Sequence, residues 1–149
     1  MGLVLGADLS LKRSAFVLID STMVVQDFET FPILGGPKLN LRATRLFVRK
    51  LKAYTADLCV IENNDHQVWY RPLFHGLLTA CQARDLATAS ATPSAVRKVI
   101  VGKGNATKAE VAFVLGERFG IGFEDDEGYD LSDAAACAVW GVMHLRGVK

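Results

Sequence analysis

The change of hydrophobic period around residue 37 is the feature that most restricts what this chain can fold into. Before it lie three short runs rich in Val, Leu, Ile and Phe, at residues 3–7, 15–19 and 24–31. Runs of that length bounded by turn formers read as strands, and the short polar stretch 10–14 makes the first two a hairpin, with the third a further antiparallel strand. Residues 33–37, carrying Gly35, Gly36 and Pro37, break the pattern. After them Leu39, Ala43, Leu46, Phe47 and Leu51 recur at three-to-four spacing, which predicts an amphipathic helix. Residues 57–61 form a compact apolar strand ending at Glu62, and residues 70–87 have helical periodicity, with Pro72 tolerable in the first turn. A short strand at 87–91, helices at 93–100 and 107–119 separated by a break at 102–104, and an alanine-rich closing helix at 132–145 complete the chain. Three strands followed by alternating helix and strand imply an α/β domain whose central sheet mixes antiparallel and parallel pairs.

At 149 residues, half of them apolar, the chain is expected to form one domain around one core. The formal charge of +1 hides an uneven layout: a basic run from Lys38 to Lys52 and an acidic crowd from Glu124 to Asp133. Cys59, Cys81 and Cys137 are odd in number and sit among apolar neighbours, as free thiols in a reducing compartment do. The N-terminus lacks a basic start, and no apolar run approaches the ~18 residues of a membrane-spanning helix. A soluble, cytoplasmic protein is the expectation.

Four carboxylates stand where they are least expected. Asp8 and Glu62 each close an apolar strand, and an ionised group there needs compensation. If those strands are adjacent and parallel, both emerge at the same C-terminal edge, the usual place for sites in α/β sheets. Asp130 and Asp133, three apart at the start of the closing helix, share one of its faces. Turn and helix capping explain each acid singly. Capping the closing helix needs one acid, though, and Ala134, Ala135 and Ala136 are small enough to bring that helix tightly onto a sheet, Asp133 inward. Four converging carboxylates would need cations between them, and oxygen-only ligation suits Mg²⁺ or Mn²⁺ rather than zinc. Two such ions roughly 3.5 to 4 Å apart are a standard device for phosphodiester hydrolysis. Spacing alone leaves both readings open, a metal cage and four unrelated caps.

Taken in order, these residues resemble the RuvC-type Holliday-junction resolvases, nucleases of the RNase H-like fold, over nearly the whole chain. GADLSLKRSAFVLID looks like the family's Gly-x-Asp strand and hairpin, CVIEN like its second acidic strand, and DLSDAAACAVWG like its Asp-x-x-Asp-Ala helix. The stretch VRKVIVGKGNATK, residues 96–108, is similar to the family's basic helix end and Val-Val-Gly-x-Gly turn with a lysine four residues beyond. The resemblance implies an RNase H-like fold with a five-stranded mixed sheet flanked by helices. It also implies Asp8, Glu62, Asp130 and Asp133 as metal ligands, Lys108 as the active-site lysine and Arg97 as a second basic position. The implied activity is paired, symmetric nicking of four-way DNA junctions by a Mg²⁺-dependent homodimer with two ions per site, Mn²⁺ substituting. Broader cleavage of forks, flaps and three-way junctions, or junction binding without catalysis, are the alternatives. A compact stand-alone or viral version fits the length, and nothing in the sequence marks a docking surface for the branch-migration motor used by bacterial members.

The family's bacterial members carry an aromatic soon after the second acid, where this chain has Asp65 and His66. Trp69 and Tyr70 follow, and they either stack on bases, worth ~1–3 kcal/mol each, or pack in the core. Relaxed sequence preference is the expectation. Lys98 and Lys103 read as phosphate contacts. The stripe Arg42, Arg45, Arg49 and Lys52 is either a solvated helix face or a DNA-binding one. Residues 102–108 lack Walker spacing, and the three histidines fall in no ligand pattern.

Overall fold

A computed structural model describes residues 2–64 and 67–147. Its strands are β1 (Val4–Asp8), β2 (Ser14–Ile19), β3 (Val25–Phe31), β4 (Leu58–Glu62) and β5 (Ala87–Ala91). They form one sheet in the order β3-β2-β1-β4-β5. The first three strands run antiparallel, and β4 and β5 extend the sheet in parallel with β1. The helices are α1 (Leu39–Leu51), α2 (Tyr70–Gln82), α3 (Pro93–Ile100), α4 (Lys108–Phe119) and α5 (Asp130–Leu145). The mixed five-stranded sheet predicted from the periodicity is therefore present.

Each face of the sheet carries its own apolar layer. Leu5, Ala7, Phe16 and Leu18 pack against Ala43, Phe47 and Leu51 of α1 and Leu73, Leu77 and Ala80 of α2. Phe16 anchors that side, its ring 5.1 Å from Phe31, 6.1 Å from Phe47 and 5.7 Å from Tyr54. Val4, Val17, Ile19, Leu58 and Val60 face the opposite layer, made by α3, α4 and above all α5, whose residues 131–139 are all buried. Alternation along each strand divides the side chains between the layers.

Two helix ends differ from the sequence expectation. The α2 helix stops at Gln82, not 87, because Asp85 takes a left-handed conformation (φ 53) and Leu86 N–H turns back to the Cys81 carbonyl, the geometry that ends helices. The α5 helix starts at Asp130, not 132. Tyr129 is left-handed (φ 61), and the Asp126 carboxylate folds over the helix start to accept from Leu131 N (2.9 Å), Ser132 N (3.0 Å) and Ser132 Oγ (2.6 Å). Asp126→Ala should therefore cost about 1–2 kcal/mol in chemical denaturation. Asp130→Ala, which removes no cap, should not.

Candidate active site

The sheet itself brings the first two acids together. Parallel pairing sets Val4 beside Leu58 and Gly6 beside Val60, so the last residues of the two strands, Asp8 and Glu62, reach the same edge. Strand alternation turns both toward the α5 layer. Asp8 is 8% and Glu62 9% exposed, which places two carboxylates largely out of water.

The third and fourth acids arrive on α5, and glycine decides how closely. A Cβ on Gly6 would collide with the Ala134 carbonyl oxygen and stand 2.7 Å from Ala138 N. At the other end of the helix, a Cβ on Gly141 would meet Val60 Cγ2 at 2.6 Å and Val4 Cγ1 at 2.8 Å. With glycine at both points α5 lies directly on β1 and β4, and its first turn reaches the strand ends. Asp133 is buried and Asp130 partly so. Because Asp126 caps the helix, neither is consumed by capping, which removes the plainest alternative for this pair.

Burial is the largest influence on all four acids. It pushes the Asp8 carboxyl well above the ordinary carboxylate range, and Glu62, Asp133 and Asp130 push it further, with Lys108 opposing. Glu62 is raised by burial and then Asp133, against an Asn64 Nδ2 hydrogen bond to its Oε1 (2.9 Å) and the charges of Lys108 and Arg97. Asp133 is raised by burial, with Lys108 and Arg97 drawing it back. Asp130 is raised by burial against Lys108 and Arg13. These are four carboxylates in mutual repulsion.

Lys108 is the cation nearest their centre. It opens α4 behind Thr107, whose hydroxyl and Glu110 form a reciprocal capping box, and its Nζ lies 3.2 Å from Asp133 Oδ2. Burial works against its charge, but Asp133, Asp8 and Glu62 outweigh that and raise its pKa. Cys137, one turn after Asp133, forms part of the floor, its thiol pushed up by burial and by Glu62, Asp8 and Asp133. Among the described residues no three Asp, Glu, His or Cys side chains stand close enough to enclose an ion as placed. The ammonium of Lys108 instead stands on Asp133. The donor chemistry nevertheless fits a hard divalent cation: four carboxylates offer oxygen donors only, three of them in a buried cluster that one lysine does not neutralise.

The other sequence candidates separate. Arg97, half-buried on α3, acts on Glu62 and Asp133, whereas Lys98 is exposed. Lys103 pairs with Glu110 at 2.9 Å. Arg42 binds the backbone of the preceding loop, its guanidinium donating to the carbonyls of Leu34, Gly35 and Pro37. Arg45 and Arg49 on α1, and Lys52 just past its end, are exposed, on the face of the sheet opposite α5. Tyr70 is buried, its hydroxyl donating to the Glu62 carbonyl and so bracing the acidic strand. Trp69 is half-buried, edge-on to Tyr70, and lines an open apolar pocket with Ser10, Leu11 and Lys12. Asp65 and His66 lie outside the described residues. Sequence reasoning missed Arg13, Asn64 and Asp126, which touch the site's acids or hold their helix. Each is ordinary turn chemistry in sequence, and only long-range folding gives it a partner.

No family model matches the sequence. One curated relative, the crossover junction endodeoxyribonuclease RuvC of Oleidesulfovibrio alaskensis, is 39% identical over 62 residues, 42% of this chain and 36% of the relative. The RuvC of Campylobacter hominis is 40% identical over 58 residues, 39% and 36% of the two chains. The matched stretch thus spans little more than a third of these relatives' length. Over the whole fold the likeness is far wider: Thermus thermophilus RuvC superposes with a TM-score of 0.76 at 16% identity, covering 98% of this chain and 97% of that one. The chain has the RuvC fold. A fowlpox virus resolvase solved with substrate Holliday-junction DNA shares that RuvC-like architecture at a TM-score of 0.63 and 13% identity, covering 97% of each chain. The resemblance first carried by a few acids and one thirteen-residue stretch extends to the entire RuvC architecture.

Proposed function

We propose that this chain is a metal-dependent endonuclease that resolves four-way DNA junctions by symmetric paired nicks. The observation that carries the reading is the convergence of Asp8, Glu62, Asp130 and Asp133 with Lys108 at one sheet edge of a RuvC fold. Asp8, Glu62 and Asp133, with Asp130 at the rim, would hold Mg²⁺ or Mn²⁺, two ions per site being the expected number. Bound there, the metal supplies Lewis-acid activation of water and stabilisation of the leaving oxygen. A pure DNA-binding role gives no account of the acids, since repelling carboxylates beside phosphates weaken binding.

The chain's own groups have definable tasks. The buried floor, including Cys137, lowers the local dielectric and strengthens every charge interaction at the edge. Lys108 balances part of the acids' charge at rest and stands ready to meet charge that develops on the scissile phosphate. Arg97, facing the same acids from α3, is the second phosphate contact, with exposed Lys98 and Lys103 extending the basic approach. Tyr70 and Asn64 hold Glu62 from behind. One such site cuts one strand, so paired nicking implies a two-fold dimer.

The deciding experiment is cleavage of labelled four-way, three-way, flap and duplex DNA with Mg²⁺, Mn²⁺, Ca²⁺ or EDTA. Paired symmetric cuts in the four-way junction, dependent on Mg²⁺ or Mn²⁺, are the expected result. Metal-independent binding without cuts overturns the reading, and equal cleavage of flaps and forks replaces it with a general branched-DNA nuclease. Lys108→Met should lower the rate about 10²- to 10³-fold while leaving junction binding close to wild type, measured by gel shift in Ca²⁺.

A further inference from the structure

Arg13 lies in the hairpin between β1 and β2, five residues after Asp8, and its contacts reach the far end of the chain. The turn that carries it is fixed locally: Arg13 N donates to Ser10 Oγ at 2.9 Å, Ser14 Oγ donates to the Ser10 carbonyl at 2.7 Å, and Ser10 N donates back to Ser14 Oγ at 3.0 Å. From that turn its Nη2 donates to the Asp125 carbonyl at 3.2 Å, next to the residue that caps α5. Its Nε is shielded from solvent and has no hydrogen-bond partner, yet stands 3.7 Å from Asp130 Oδ2. That distance is an ion pair but too long for a hydrogen bond. A buried N–H without an acceptor is costly, and a small rotation of the Asp130 carboxylate toward it would remove the cost.

Asp130 has few other restraints. The cap of α5 belongs to Asp126, and among the described residues Arg13 makes the only ion pair that Asp130 forms within 4 Å. We propose that Arg13 is a positioning residue for Asp130: braced on the Asp125 carbonyl, its guanidinium ties the strand that ends in Asp8 to the helix start that presents Asp130. This rests on the metal-site reading above. A planar fork serves two acceptors in fixed directions, the Asp125 carbonyl and the Asp130 carboxylate, whereas an ammonium does not. Partners that orient a metal ligand typically change metal affinity 10- to 100-fold when removed.

The opposite expectation follows if Arg13 acts only as a charge. A cation so close to a metal ligand repels Mn²⁺, so its removal would tighten binding. Calorimetric titration of the full chain with Mn²⁺ in the absence of DNA separates the two, using wild type, Arg13→Gln and Arg13→Lys, with metal-free melting temperatures alongside. Positioning predicts that Arg13→Gln weakens Mn²⁺ binding about tenfold. It predicts that Arg13→Lys weakens it as well despite the retained charge, and that cleavage recovers toward wild type at saturating Mg²⁺. Unchanged or tighter Mn²⁺ binding by Arg13→Gln overturns the proposal. If Arg13→Gln melts far below wild type, Arg13→Lys carries the comparison, and wild-type affinity there overturns it. A wild-type chain that neither binds Mn²⁺ nor cuts junctions fails at the metal-site reading itself, and Arg13's role falls with it.

Discussion

Asp8→Asn is expected to abolish cleavage and, in the same variant, to raise the melting temperature of the metal-free protein. Both effects come from one cause. Asp8 is nearly out of water and faces Glu62, Asp133 and Asp130, so burial and repulsion both disfavour its ionised form. The amide keeps the shape and discards the charge. Melting should rise by about 2–4 °C for each kcal/mol of repulsion removed, the scale for a chain of this size. Cleavage should fall at least about a thousandfold, because a neutral amide is a poor ligand for a hard cation and leaves the transition state short of charge balance. Junction binding in Ca²⁺ or EDTA should persist. A variant that cuts at the wild-type rate refutes the metal-site assignment, and one that melts lower than wild type refutes the repulsion.

The same carboxylates set opposite pH dependences for stability and activity. Their pKa values are raised in the folded state, so the charged form costs stability above the folded value, and the cost disappears once the pH falls below the unfolded value of about 4. Metal-free protein should therefore gain stability from these groups as pH falls from 7 toward about 4. Asp20 works in the other direction: hydrogen bonds from Thr22, Val24 and Gln26 lower its pKa, so its contribution is lost as the pH falls through that depressed value. Cleavage, which needs the cluster ionised, should decline across the window in which the cluster's stability improves. Thermal melts of wild type and Asp8→Asn from pH 4 to 8 check this, and the Asn variant should show the flatter profile.

Gly6→Ala should be the most disruptive single methyl in the chain. Its Cβ would strike the Ala134 carbonyl and stand 2.7 Å from Ala138 N, and both are helix backbone. No rotamer change relieves a backbone clash, so α5 must move off β1. Overpacking commonly costs 1–3 kcal/mol and here should reach about 3 or more. That corresponds to a fall in melting temperature of roughly 10 °C. Folded molecules should still cut poorly, since a shift of about 1 Å in Asp133 relative to Asp8 is enough to lose about a hundredfold in rate. Gly122→Ala is the control: its Cβ meets nothing within 4 Å and its backbone is not left-handed, so stability should barely change. A Gly6→Ala protein that melts and cuts like wild type would show that α5 is not held where the structure places it.

The strand pattern and the two strand-ending acids of the site were legible from local order. Short apolar runs gave the five strands because alternation and length are properties of neighbouring residues. Asp8 and Glu62 stood out because each ends such a run. Lys108 was visible only through the resemblance of residues 96–108 to the family's glycine-turn motif, since its capping box appears in the structure alone. What local order does not carry is which residue meets which across the fold. Within the acidic crowd from Glu124 to Asp133 spacing marks Asp130 and Asp133, yet only folding sets a cap at Asp126, a carbonyl bound by Arg13 at Asp125, a rim acid at Asp130 and a buried acid at Asp133. Arg42 shows the reverse case, a member of a regular basic stripe whose guanidinium is taken up by loop carbonyls.

By itself, then, the sequence determined the elements and the chemical types, because hydrophobic period and strand-ending charge are short-range facts. The tertiary structure decided the site. Parallel pairing of β1 with β4 set Asp8 beside Glu62, and the missing side chains at Gly6 and Gly141 let α5 descend onto the sheet. Convergence of four like charges is a property of that packing, which strand register and backbone clearance fix and no local pattern encodes.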